Sequence, residues 1–125
     1  RKFLSYSSPK IRVNLTAFRW DADLRSFLRI PTEIIRSLRP RYLTLRGCKL
    51  GDEGCKVVSR ALVDNVSVHY LDIANNDIRS SGCSALGKAL KSNQSLTYLD
   101  VEYNNIGVTG VQDLSIGIGH AGCLE

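Results

Sequence analysis

Apolar and polar residues alternate in three short segments that are evenly spaced along the chain. The segments are Leu43-Thr44-Leu45, Leu71-Asp72-Ile73 and Leu99-Asp100-Val101, and the interval from the first to the second equals that from the second to the third. Such alternation predicts a short β-strand with one buried face. The even spacing indicates that the strands belong to a repeated unit.

A second pattern follows each predicted strand, with apolar residues three and four positions apart. This spacing predicts a helix with one apolar stripe. The stripes are Cys55, Val58 and Leu62; Cys83, Leu86 and Leu90; and Val111, Leu114 and Ile118. Gly54, Gly82 and Gly110 are expected to serve the loop-to-helix turn. Ala61, Ala89 and Gly117 share one position, where small side chains are expected to let helices and strands approach closely.

Many other positions recur with the same period. They include Tyr42, Tyr70 and Tyr98; Leu45, Ile73 and Val101; and Leu50, Ile78 and Ile106. A period between roughly 20 and 50 residues is typical of solenoids, in which each unit buries its apolar face against its neighbours.

The strand segments continue into a recognisable motif. Residues 71–78 and 99–106 match the pattern L-x-L-x-x-N-x-L, and residues 43–50 match it with Cys48 in place of the asparagine. The units therefore resemble leucine-rich repeats, and their 28-residue length resembles the ribonuclease-inhibitor-like subclass. That subclass includes ribonuclease inhibitor, NOD-like receptor repeat arrays, the Ran GTPase-activating protein and the tropomodulins. The resemblance implies an α/β, right-handed solenoid with short parallel strands on the concave face and helices on the convex face.

Three residues at the strand ends are predicted to form a structural ladder. Asn76 and Asn104 are expected to turn inward and satisfy backbone groups that would otherwise be buried without partners. Cys48 occupies the same position with a weaker donor.

The repeats define the predicted organisation of the chain. Residues 1–11 are an extended lead-in, 12–39 a divergent repeat or N-terminal cap, and 40–67, 68–95 and 96–123 three clear repeats. Residues 124–125 would start a further repeat, so we expect a fragment of a longer array. A shift of 28 places Leu15 under Leu43, and Pro31 is expected to delay or break the helix of the divergent repeat.

Outward strand positions form the predicted partner-binding face. These positions are Tyr42, Thr44, Arg46, Tyr70, Asp72, Ala74, Tyr98, Asp100 and Glu102, and Asn14, Thr16 and Phe18 would extend them if the first repeat is real. Tyrosine is favoured at protein interfaces, although tyrosines at a strand edge can also simply pack together. Asp72, Asp100 and Glu102 form an acidic strip that would suit a protein with a basic patch, and these carboxylates repel one another unless a positive group lies nearby.

The charge is distributed unevenly. Residues 1–46 hold eleven Lys/Arg and three Asp/Glu, whereas residues 47–125 hold six and nine. The N-terminal excess leaves nucleic-acid or anionic-lipid binding as one alternative function. Its arginines are scattered rather than clustered with aromatics, so a solvated surface is the simpler interpretation.

Cysteines and glycosylation triplets bear on the compartment. Cys48, Cys55, Cys83 and Cys123 do not form a disulfide framework. Triplets of the N-glycosylation type begin at Asn14, Asn65 and Asn93, and we interpret them as chance. Because no signal peptide is visible, reduced cysteines and a cytoplasmic location are expected, with nuclear, cytoskeletal or ciliary locations left open.

Signals for catalysis are sparse. His69 and His120 have no partners at metal-ligand spacing. Residues 117–122 match the dinucleotide motif G-x-G-x-x-G but lie at the end of a predicted helix rather than its beginning, so the glycines are expected to weaken or end that helix. We therefore predict no enzyme activity, metal, cofactor or small-molecule substrate, and a scaffold that binds another protein. Small-GTPase regulation, as in the Ran GTPase-activating protein, is a further alternative, and a homodimer through the uncapped solenoid end is left open.

Overall fold

The computed structural model describes residues 11–17 and 24–120, with side chains described at 11–17 and 29–119. Within these described residues, four strands form one parallel sheet, in which each strand pairs with the next one along the chain. The strands are β1 (Arg12–Asn14), β2 (Tyr42–Thr44), β3 (Tyr70–Asp72) and β4 (Tyr98–Asp100). The helices are α1 (Leu24–Glu33), extended by a π-helical turn (Ile34–Leu38), α2 (Gly51–Leu62), α3 (Ser80–Ser92) and α4 (Gly107–His120). Strands and helices alternate along the chain, as expected of an α/β solenoid built from repeated strand–helix units.

The pairing of the strands fixes the repeat length. Tyr42 pairs with Tyr70 and Tyr70 with Tyr98, which is the 28-residue step of the sequence. The first unit is different, because Tyr42 pairs with Arg12, so Val13 rather than Leu15 lies beside Leu43. The expected shift of 28 is therefore wrong for this unit, which is longer and runs from position 12 to position 42. Asn14 and Thr16 consequently correspond to Thr44 and Arg46, and Phe18 lies outside the described residues.

One apolar layer runs between sheet and helices. Leu43, Leu71, Leu86 and Leu90 have no solvent exposure. Burying each such side chain contributes roughly 1.5–3 kcal/mol relative to exposure. Each repeat supplies equivalent residues, so the layer continues from one repeat to the next.

The helix of the first unit continues past its proline. Pro31 lies inside α1, which ends at Glu33 and passes into the π-helical turn. The prediction that Pro31 delays or breaks this helix is therefore wrong. The missing N–H removes one i→i−4 hydrogen bond, and the wider turn begins shortly afterwards, at Ile34. Arg39, with a φ of 49°, ends the helical segment directly before Pro40.

The last repeat is less buried than the two before it. Val111 and Ile118 are 53% and 41% exposed, whereas their counterparts Cys55 and Leu62 are fully buried. Only Leu114 of the predicted stripe of α4 is buried, because no described helix packs on the far side. The helix also runs through Gly117 and Gly119 to His120, so the expectation that these glycines end it early is wrong.

Glycines bring neighbouring helices into close contact. A Cβ at Gly117 would clash with the carbonyl oxygen of Gly87, and one at Gly87 would clash with that of Asp113. The small residue at position 117 therefore serves contact between α3 and α4, not the expected contact between helix and strand. Gly82 and Gly110 lie inside the first helical turn, and a Cβ at Gly82 would meet the Asp52 side chain of the preceding helix at 2.6 Å.

Candidate functional site

Arg46 links three strands on the concave face. Its Nε donates to Asp72 Oδ2 at 3.0 Å, and its Nη2 donates to Asp100 Oδ2 at 2.9 Å. The hydrogen bond to Asp72 raises the pKa of the arginine above its ordinary value. The other carboxylate oxygens accept from the backbone, Asp72 Oδ1 from Ala74 N–H and Asp100 Oδ1 from Glu102 N–H. We call Arg46, Asp72 and Asp100 the arginine clasp.

The clasp changes the predicted acidic strip. Asp72 and Asp100 are 5% and 8% exposed, and Ala74 is not exposed at all. The prediction that these three residues present a surface to a partner is therefore wrong. Alternation had placed the two carboxylates on the outward side, but Arg46 covers them and supplies the positive charge they need. Glu102 remains exposed.

Three tyrosines stand in a column beside the clasp. The rings of Tyr70 and Tyr98 are stacked, with centroids 4.4 Å apart and planes 1° from parallel. Tyr42 lies 6.1 Å from Tyr70 at 48°. Burial of its ring, followed by the neighbouring Tyr98 and Asp72, raises the pKa of the Tyr70 phenol. We call Tyr42, Tyr70 and Tyr98 the tyrosine column.

The N-terminal end of the column carries a cation. The Arg12 guanidinium lies 4.0 Å from the centre of the Tyr42 ring, within the range of a cation–π contact. Beside it is an open depression of about 320 Å³. It is lined by Arg12, Val13, Asn14, Tyr42, Thr44 and Tyr70. The opposite end of the column is open, because Tyr98 is 46% exposed.

Asn76 and Asn104 make the hydrogen bonds of the ladder. Asn76 Oδ1 accepts from Cys48 N–H and Leu50 N–H, and its Nδ2 donates to the carbonyls of Leu45, Ile73 and Ala74. Asn104 repeats this arrangement one unit later. Asn76 is 1% exposed, whereas Asn104 is half-buried at the end of the stack.

Cys48 lies one unit earlier. Its thiol donates to the Leu15 carbonyl at 2.9 Å. Because the first unit is longer, Leu15 corresponds to Leu45, so this bond is equivalent to the one from Asn76 to the Leu45 carbonyl. The strand end is thus bonded to the preceding unit at all three positions.

A second ladder connects helix ends to the following strands, and sequence reasoning missed it. Asn93 Nδ2 donates to the carbonyls of Leu62 and Asn65, and its Oδ1 accepts from the N–H groups of Ser95 and Leu96. Asn65 Oδ1 likewise accepts from Ser67 and Val68. Two glycosylation triplets therefore recur with the period of the repeat because asparagine and serine close the same turn. Asn65 and Asn93 are 9% and 2% exposed, so neither amide is accessible in the folded chain.

The side chains of Cys48, Cys55 and Cys83 are all buried. Burial raises the pKa of the Cys55 thiol to about 12 and that of Cys83 to about 11, from an ordinary value near 9. The Cys55 thiol also donates to the Gly82 carbonyl at 3.4 Å. These cysteines are packing residues with little thiolate at neutral pH.

The thiols lead to a prediction with a defined pH window. Iodoacetamide should modify Cys55 and Cys83 of the folded chain at least roughly tenfold more slowly than in urea, as mapped by mass spectrometry. The pKa values of both thiols are higher in the folded chain than in the unfolded chain. The two thiols therefore contribute fully to the stability of the folded chain below pH 9, and this contribution is lost as the pH rises from 9 to about 12. Equal modification rates in the two states would contradict the burial of these thiols.

The described residues contain few other features of catalysis. No group of three His, Cys, Asp or Glu side chains within 11–17 and 29–119 could hold a metal ion. His69 Nδ1 lies 2.8 Å from the Ser67 carbonyl, and the side chain of His120 lies outside the described set. In the same part of the chain, none of the helices has the length and apolar character needed to cross a bilayer.

The structure combines a parallel sheet, one helix per strand, stacked 28-residue units and an asparagine ladder. Together these features define a repeat solenoid of the leucine-rich type. A family model described as Leucine Rich repeat matches residues 41–59, 64–87 and 92–115, more than half of the chain. The chain belongs to the leucine-rich repeat family.

A solved structure of similar fold shows the same architecture. The structure of leiomodin-1 actin-binding site 2 (ABS2) superimposes on the chain with a TM-score of 0.74 at 17% sequence identity. The match covers 88% of this chain and 64% of that one, so the chain spans less than two thirds of the length of that structure. A search of the curated proteins finds no match.

Proposed function

We propose that this chain is an interaction scaffold that binds another protein on its concave face through the tyrosine column. The observation that carries the proposal is the stacked pair of Tyr70 and Tyr98, of which Tyr98 is 46% exposed to solvent. Large amphipathic rings that are already ordered lose little conformational freedom on binding. The leucine-rich repeat fold supports a scaffold, since solenoids offer an extended concave surface to large partners. The similar leiomodin-1 structure is named as an actin-binding site, which is a property of that protein.

The chemistry of the face describes the segment it would accept. Exposed ring faces suit aliphatic, proline or guanidinium groups, and the phenol groups can exchange hydrogen bonds with a partner's backbone. A partner with a basic patch would meet fewer exposed carboxylates than the sequence predicted, because Arg46 pairs with Asp72 and Asp100 and only Glu102 remains exposed. A cytoplasmic or cytoskeletal location and the absence of enzyme activity belong to this proposal. No observation favours the GTPase-regulating or nucleic-acid alternatives over it.

Affinity capture with two matched variants tests the proposal. The first variant, Tyr42→Ser with Tyr98→Ser, removes both ends of the column and leaves the clasp intact. The control, Tyr103→Ser with Val108→Ser, removes two side chains that are 74% and 75% exposed and lie outside the column. We expect a protein that the parent and the control retain from cytosolic extract, and about tenfold weaker retention by the column variant. Urea unfolding must first show that both variants are folded.

The outcome is decided by the identity and affinity of the retained protein. A single protein that binds the parent in purified form and loses affinity only with the column variant supports the concave site. Equal binding to all three chains would move the interaction away from the column and overturn the proposal.

A further inference from the structure

The convex side of the solenoid holds an open groove between α2 and α3. It is a depression of about 290 Å³. Its lining residues are Lys56, Ser59, Arg60, Val63, Ala85, Lys88 and Ala89. Val63 is 44% exposed although it is aliphatic. We call this depression the convex groove; it is formed by helices, whereas the tyrosine column stands on strands.

The depression between the next pair of helices is smaller than the convex groove. The equivalent depression between α3 and α4 measures about 80 Å³. Each residue that lines it lies one repeat after a residue that lines the convex groove. Gly87 corresponds to Ser59, and Asp113 corresponds to Ala85. Gly87 and Gly117 let α3 and α4 meet backbone to backbone. Ser59 and Ala89 occupy those two positions between α2 and α3, and their side chains leave the wider groove open.

The charges around the convex groove have one sign. Lys56, Arg60 and Lys88 all line it, and its lining includes no carboxylate. Glu53 pairs with Lys56 at 3.1 Å, but the Glu53 side chain is 73% exposed, and such exposed pairs are weak. Asp52, on the same helix, is engaged elsewhere, because its Oδ1 accepts from Arg79 N–H and Gly82 N–H.

We propose that the convex groove is a second binding site, which takes an acidic amphipathic segment of a partner protein. An aliphatic side chain of that segment would lie on Val63 and Ala85. Flanking carboxylates would meet the ammonium and guanidinium groups of Lys56, Arg60 and Lys88, as opposite potentials do across specific interfaces. A protein segment fits better than nucleic acid, because no aromatic side chain lines the groove for base stacking. The site is independent of the tyrosine column.

Fluorescence anisotropy with a designed probe tests the site. The probe is a fluorescein-labelled peptide in which pairs of glutamates alternate with single leucines, and a second peptide carries glutamine in place of glutamate. The groove variant combines Lys56→Gln, Arg60→Gln and Lys88→Gln. The control combines Arg36→Gln, Lys49→Gln and Arg79→Gln, three exposed cations outside the groove. A further variant, Ala85→Leu, fills the floor without changing the charge.

The expected pattern distinguishes a site from general attraction between charges. The acidic peptide should bind the parent and the control within about twofold of each other, and the groove variant about tenfold more weakly. Ala85→Leu should also weaken binding about threefold or more, since it occupies the space for the leucine. Equal weakening by groove and control variants, equal binding of the glutamine peptide, or absence of binding would each overturn the proposal. So would tighter binding of single-stranded polyuridylate or phosphatidylserine vesicles than of the acidic peptide.

Discussion

Asn76→Ala should lower the free energy of unfolding by about 4 kcal/mol, the largest effect expected of any single polar substitution in the ladder. The side chain serves two buried N–H donors, of Cys48 and Leu50, and three carbonyls. Alanine leaves these groups without partners, and each unsatisfied buried group costs about 1–3 kcal/mol when water cannot reach it. Urea unfolding followed by circular dichroism gives the value.

Asn104 and Asn105 are matched controls for this prediction. Asn104 makes the same number of side-chain hydrogen bonds but is half-buried at the end of the stack. Water can replace part of its bonds, so Asn104→Ala should cost about 2 kcal/mol. Asn105 is exposed, and Asn105→Ala should change stability by less than about 0.5 kcal/mol. Equal losses for Asn76 and Asn104 would show that burial does not set the strength of the ladder.

Gly117→Ala should destabilise the chain by about 2–3 kcal/mol, although alanine is the better helix former by about 1 kcal/mol. The added Cβ would clash with the Gly87 carbonyl oxygen and lie 2.7 Å from its Cα, both of them backbone atoms. Neither atom can rotate away, so α4 must move off α3 and expose Leu86 and Leu90. Urea unfolding measures the net loss.

Gly119 supplies the control for that substitution. It lies further along the same helix, and a Cβ there would have no neighbour within 4 Å. Gly119→Ala should therefore leave stability unchanged or raise it by up to about 1 kcal/mol, from helix propensity alone. If both substitutions stabilise the chain, the close approach of α3 and α4 is not a determinant of stability.

The repeat, the strands and the helices followed from periodicity alone. Tyr42, Tyr70 and Tyr98 recur once per repeat, and the parallel pairing brings them together in that register. Residues at one position of a solenoid unit share one environment, so recurrence along the chain becomes adjacency in space. The asparagine of each strand end could be predicted for the same reason.

The sequence by itself therefore determined the class of fold, the outward column of tyrosines and the positions of the ladder, because these depend on local spacing repeated many times. Tertiary structure decided which outward groups are available. Alternation assigns a side chain to a face, but the tertiary structure buries Asp72 and Asp100 there and pairs both with Arg46. Likewise, the longer first unit depends on the pairing of β1 with β2, and the open convex groove depends on how closely neighbouring helices meet. These features depend on contacts between separate strands and helices, and the residue spacing within one strand or helix does not predict such contacts.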